Sequence, residues 1–191
     1  DADVFVLPAL AAVRPAAARA MLEYRIRRLP AARAAAARLG RGGARFPWES
    51  ARDGVDVTPT QAPGRHGELV PIRTGEHQEH IVADVAWSAC RYATWTGDTA
   101  FLTGAGRPLV VETARYWASR IRRDADGRAH IDQVMGPDEY HAVVDDSAYT
   151  NVLARWNLRR AADLVEATGS DDAEAAGWRT LADALVDGYD H

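Results

Sequence analysis

Helical spacing of apolar residues, broken by two long irregular stretches, is what most limits the folds open to this chain. From Val4 to Leu39 the sequence reads as helix, with Pro15 and Pro30 each where a first helical turn tolerates proline and Gly40 suited to a C-terminal cap, which predicts three short consecutive helices. From Gly40 to about Glu79 the periodicity vanishes and Gly, Pro, Thr and Asp dominate. A stretch of that length without regular structure is uncommon in a compact domain unless it has a task. Periodicity returns from His80 to Thr96, where Ile81, Val85, Ala89 and Tyr92 share one face, and Gly97 ends the element. A further helix is expected from Pro108 to about Arg122, then a turn at Asp124-Ala-Asp-Gly127 and a short strand from His130 to Met135. A second irregular stretch, Gly136 to Asp146, precedes two helices, Ala148–Ala167 and Asp171–Val186, split by Thr168-Gly169.

No alternation of strand and helix is present, which argues against a doubly wound sheet or a TIM barrel. The pattern is all-α, with elaborated loops on one side of a bundle, solenoid or toroid, where they assemble a site. The chain begins without methionine, on what reads as the interior of a folded segment, so it is expected to be a piece, residues 1–191, of a longer protein.

Charge and cysteine usage remove several functions. A net charge of -4 on 191 residues argues against nucleic-acid binding, which needs a basic stripe to neutralise phosphates. The cluster Arg25, Arg27 and Arg28 is read as a solvated helix face. The single cysteine, Cys90, rules out an internal disulfide framework, fits a reducing cytoplasmic compartment and is expected in the core. No apolar run approaches the ~20 residues that cross a bilayer. No G-x-S-x-G, P-loop or dinucleotide fingerprint occurs, which leaves serine hydrolase, nucleotide hydrolase and dehydrogenase readings without a foothold.

Both irregular stretches pair carboxylates with aromatic rings, the combination a sugar site requires: a flat apolar face for a pyranose and acceptors for its hydroxyls. Trp48 stands beside Glu49, and Tyr140 beside Glu139 within Gly136-Pro-Asp-Glu-Tyr-His141. In one reading the Gly-Pro pair fixes an unusual backbone and holds Glu139 in a crowded place, where desolvation favours the protonated form that a general acid needs. In the other, Asp138 caps a turn and Glu139 is solvated. For the first pair, Trp48 can equally anchor the loop to the core while Glu49 caps a helix. Gly75-Glu-His-Gln-Glu-His80 places His77 and His80 three apart around Glu79, but it is not a His-Glu-x-x-His motif and no third ligand is set by spacing, so no metal is expected. Hydrogen bonding that orients loop residues is the expected role there. Asp145, Asp146, Ser147 and Tyr149-Thr-Asn151 read as a helix N-terminus with capping side chains.

Six segments, taken in order, give a resemblance to a known family: Asp1-Ala-Asp-Val-Phe-Val-Leu-Pro, Tyr24-Arg-Ile-Arg-Arg-Leu-Pro, Gly43-Ala-Arg-Phe-Pro-Trp-Glu-Ser, Gly75-Glu-His-Gln-Glu-His-Ile, Trp95-Thr-Gly-Asp and Met135-Gly-Pro-Asp-Glu-Tyr-His. Together they span nearly the whole chain and resemble glycoside hydrolase family 65, which includes maltose, kojibiose and trehalose phosphorylases and related glucosidases. The resemblance implies part of an (α/α)₆ toroid with its ends missing here, and a homodimer. It also implies Glu139 as general acid, glucose held by Asp1, Trp48 and Glu49, and inorganic phosphate as cosubstrate without any cofactor. Asp138, Tyr140, His141, Glu79 and His80 are expected to support the acid and the sugar. The chain departs from the family pattern at Ala2 and Asp3, and at Val144-Asp-Asp-Ser-Ala-Tyr149. The family's glucose-binding Lys-Gln pair has no counterpart, since the chain contains no lysine. On these expectations the activity is inverting cleavage of an α-glucosidic bond in a glucose disaccharide, with an inverting hydrolase or a non-catalytic sugar-binding module as alternatives. The isolated piece would expose apolar helix faces and be inactive alone.

Overall fold

The computed structural model describes residues 2–169 and 172–189. A single π-type turn, Ala2–Val6, leads into α1 (Leu7–Val13), α2 (Pro15–Arg27) and α3 (Leu29–Arg38). The proline-led starts and the left-handed Gly40, φ 66°, agree with the sequence pattern. The long stretch that follows is not wholly irregular. It holds a hairpin, β1 (Gln61–Pro63) with β2 (Leu69–Pro71), and one helical turn, α4 (Thr74–His77). Three-residue exposed strands carry too few alternating residues to register as periodicity, which is why the sequence hides them.

α5 (Ile81–Thr96) is the centre of the molecule and packs against α1, α2, α7 and α8. Ile81, Val85, Ala89 and Tyr92 are buried as expected, but so are Val82, Ala83, Ala86 and Ala93 on its other sides. A helix apolar nearly all round is one surrounded by others. α6 (Thr99–Thr103) is a short helix whose N-terminus is capped by Asp98, the carboxylate of which accepts from the Phe101 amide at 3.1 Å and from Arg19 at 3.0 Å. The Trp-Thr-Gly-Asp segment is thereby a structural corner. α7 (Arg107–Arg120), α8 (Ala148–Ala167) and α9 (Asp172–Ala184) complete the helical layers, α8 packing on both α7 and α9.

The abundant alanine has a packing role. Ala18, Ala32, Ala36, Ala86, Ala89, Ala114, Ala154 and Ala161 are all buried, letting helix backbones approach closely around Leu22, Leu109, Trp117 and Leu158. Cys90 is buried among them, as expected, and burial pushes its thiol up from the ordinary range. Phe5, Val13, Trp95 and Val152 remain exposed. Among the described residues no helix is long and apolar enough to cross a membrane.

Three expectations are corrected. The arginine cluster is not one solvated face: Arg25 is buried, donating to Asp3 at 2.5 Å and facing the Phe46 ring at 5.7 Å, because a paired guanidinium over an aromatic ring can leave water. The strand at His130–Met135 shrinks to β4 (Ala129–His130), paired with β3 (Arg122–Arg123), although Ile131, Val134 and Met135 are buried as its apolar pattern implied. Ser147 precedes α8 without a side-chain cap. Asp146 instead accepts from the Ile131 amide at 3.0 Å and from Asn151 Nδ2 at 3.0 Å, tying α8 back to β4.

Candidate active site

The second irregular stretch is a closed loop with a built stem. Val134 and Val144 exchange reciprocal backbone hydrogen bonds, each 2.8 Å, so Gly136 to His141 project as the tip. Gln133, Val143 and Asp146 have φ of 53°, 60° and 56°. A β-branched residue such as Val143 adopts the left-handed region only where its surroundings impose it, and backbone strain of this kind gathers at functional loops.

Gly75 to His80 fastens that loop to the helical body. The His77 carbonyl accepts from the Met135 amide at 2.9 Å, and His77 Nδ1 meets the Gln133 carbonyl at 2.8 Å. Gln78, 1% exposed, donates through Nε2 to the Gly136 carbonyl at 3.2 Å and to Glu139 Oε1 at 3.3 Å. Glu79 points the other way. It accepts from Tyr116 at 2.9 Å and Arg120 Nε at 2.8 Å on α7, and Arg120 also donates to the Asp132 carbonyl at the approach to the loop. Burial, with the Glu79 charge adding to it, pushes the Tyr116 phenol far above its ordinary range, so it stays a donor. Glu79 thus supports the loop through the fold and does not reach the acid.

His80 connects the acid side to the tryptophan side. Its Nδ1 donates to Asp84 at 2.7 Å, and its ring stands edge-on between Trp48, at 5.8 Å, and Tyr149, at 5.2 Å. Tyr149 also donates to Asp84, at 3.2 Å; burial pushes its phenol above its ordinary range, and the Asp84 charge adds to this. His80 Nε2 is buried without a partner among the described residues. The two histidines of this segment are therefore committed to different partners, one at the loop stem and one under Trp48.

Trp48 is half-buried and walls a cavity of about 330 Å³ shared with Asp3, Met21, Tyr24, Arg25 and Ser50, within the size range of small-molecule sites. Its position follows from the run before it. Gly43 has φ 70°, and a Cβ there would meet the Glu112 carbonyl on α7 at 2.2 Å. Only glycine lets the chain lie that close, and Ala44 N then donates to the same carbonyl at 2.9 Å. Glu49 is exposed and caps no helix; its carboxylate has no partner among the described residues.

Not every expected feature of the acid loop is present. Glu139 is exposed and Gln78 is its sole partner among the described residues, so this chain does not itself supply the crowding expected of the Gly-Pro turn. Asp138 does cap a turn, accepting from the Tyr140 amide at 3.0 Å and meeting His141 Nδ1 at 2.5 Å. Those bonds, the amide first, hold its carboxyl below the usual range. Tyr140 is 98% exposed and stacks on no ring among the described residues. Asp1 lies outside the described residues. Gln78 and Asp84 escaped the sequence reading; Gln78 sat inside a quoted segment, and Asp84 stands four residues after His80, on the same helix face.

A central glycosidase domain model decides the family. The model for the glycosyl hydrolase family 65 central catalytic domain matches residues 1–188. The chain belongs to glycosyl hydrolase family 65. Its relatives include a kojibiose phosphorylase from Caldanaerobacter subterraneus subsp. tengcongensis, 42% identical over 166 residues, covering 86% of this chain and 22% of the relative. Another, from Escherichia coli K12, is 42% identical over 182 residues, covering 91% and 23%. A kojibiose hydrolase from Flavobacterium johnsoniae is 36% identical over 186 residues, covering 97% and 26%. The solved structure of a human-microbiome protein superposes with a TM-score of 0.81 at 21% identity, covering 97% of this chain and 27% of that one, which shows the shared helical fold. This family 65 chain therefore spans about a quarter of the length of its relatives.

Proposed function

We propose that the protein to which this family 65 chain belongs cleaves the α-glucosidic bond of a glucose disaccharide by inverting phosphorolysis. Kojibiose is the favoured disaccharide, because phosphorylases of that sugar are similar to this chain over most of its length. The observation that carries the reading is that one segment, Gln78 to His80, ties the carboxyl of Glu139 to the platform of Trp48. An acid and a sugar-sized aromatic face are thus held on one turn of backbone.

Glucose rests against Trp48, with Glu49, and Asp1 by family resemblance, as acceptors for its hydroxyls. Glu139 gives its proton to the glycosidic oxygen as the bond from that oxygen to C1 breaks. A phosphate oxygen forms the new bond to C1 from the opposite face, giving β-glucose 1-phosphate and free glucose. One carboxylic acid suffices, since phosphate brings its own nucleophilic oxygen, whereas an inverting hydrolase needs a second carboxylate ~6.5–9.5 Å away to activate water. The kojibiose hydrolase among the relatives makes water the second reading. In the complete protein, the other helices of a ring would cover Glu139 and supply the phosphate site.

Incubation of the complete protein with kojibiose, trehalose and maltose, with and without phosphate, tests this. Phosphate-dependent glucose 1-phosphate from kojibiose is the expected product. Glucose alone selects the hydrolase, and absence of turnover on all three overturns the proposal.

A further inference from the structure

We infer that Gln78 is a positioning residue for the general acid, fixing which oxygen of Glu139 carries the proton to the glycosidic bond; this rests on the proposed acid role of Glu139. The Gln78 side chain is 1% exposed, and its amide is aimed at the acid loop from the helical body. Its orientation is set independently of Glu139. The Gly136 carbonyl, 3.2 Å from Nε2, only accepts, so the N–H₂ end must face the loop and Oε1 must face away. That Oε1 is buried without a partner among the described residues, a cost that the arrangement bears in order to present its donor.

The second hydrogen of Nε2 then falls on Glu139 Oε1 at 3.3 Å. Nothing else among the described residues holds that carboxyl, which is otherwise exposed on a side chain with several free rotors. A donor on Oε1 makes the two oxygens inequivalent. Oε1 accepts from Gln78, so the acidic proton resides on Oε2, the oxygen left to face the substrate. When Oε2–H transfers its proton to the leaving oxygen, Glu139 becomes a carboxylate, and the amide contact becomes a hydrogen bond to a charged acceptor. Such bonds are shorter and stronger than neutral ones, so the contact favours the transition state over the bound substrate. The 3.3 Å separation is at the long end of the hydrogen-bond range.

The stem is already rigid without this contact. Val134 with Val144, and His77 with Gln133 and Met135, anchor the loop by other atoms, so removing the Gln78 amide loosens the acid and leaves the loop attached.

The test uses Gln78→Met, close in shape but lacking the donor, in the complete enzyme with phosphate. Turnover is measured on kojibiose and on 4-nitrophenyl α-glucoside, whose phenolate leaves with little protonation. Disaccharide kcat should fall at least ~10-fold with KM held within about 3-fold, while the activated glucoside changes less than about 3-fold. The ratio of the two rates is unaffected by the fraction of protein folded. Gln78→Leu, which likewise lacks the donor and adds no charge, should give the same split and serves if the methionine variant does not fold. Equal losses on both substrates, or no loss on either, overturn the inference. A wild-type enzyme silent on every α-glucoside would instead overturn the proposed function.

Discussion

Replacing Glu79 with Gln should cost far more stability than any surface charge change, because this carboxylate is enclosed with its partners. Glu79 accepts from Tyr116 at 2.9 Å and Arg120 at 2.8 Å, and the Arg45 guanidinium lies 3.9 Å away. The side chains of Glu79, Arg45 and Arg120 are 8%, 11% and 14% exposed. Glutamine keeps an acceptor for Tyr116 but leaves two half-buried guanidinium groups short of a counter-charge. Breaking a buried pair from one side costs roughly 3–5 kcal/mol, and the retained acceptor returns about 1 kcal/mol of that, so a loss of about 2–4 kcal/mol is expected. At about 2–4 °C per kcal/mol for a chain of this size, the melting temperature followed by circular dichroism should fall by roughly 5–15 °C. Asp183→Asn, which breaks the exposed pair with Arg159, is the matched control and should change stability by less than about 0.5 kcal/mol. If Glu79→Gln melts with its control, the interior network carries no stabilisation and the role given to Glu79 is wrong.

Gly43→Ala should destabilise by more than about 2 kcal/mol, since it combines a left-handed backbone with a methyl placed on the α7 backbone; an unchanged denaturation midpoint would contradict the close approach. His130 meets Asp146 at 2.7 Å and Asp124 at 3.1 Å, and these bonds, Asp146 first, raise its pKa in the fold. A raised folded value means that its stabilisation is complete below the unfolded value of about 6.5 and is lost as pH rises through the folded value. Wild type should therefore lose stability over that rise relative to His130→Gln, and an NMR titration of His130 should have its midpoint above 6.5; a midpoint below it refutes the pairing.

Long elements were legible in the sequence and short ones were not. α5 and α8 announce themselves by apolar spacing over four or more turns, and α2 and α3 by proline starts. The β1–β2 hairpin and α6 span too few residues to show a period, and α6 depends on one Asp98 cap. In the site, Glu139 and Trp48 stood out through motif and residue type. Gln78 did not, because an uncharged amide has no signature until its neighbours are placed. Arg25 misled for the opposite reason: its partner Asp3 is distant in sequence, and a run of arginines ordinarily faces water.

Glu139→Gln in the complete enzyme tests the catalytic account most directly. Loss of a positioned proton donor should lower disaccharide kcat by on the order of 10²-fold or more, with binding of glucose at the Trp48 platform unaltered. Turnover near the wild-type rate would contradict it.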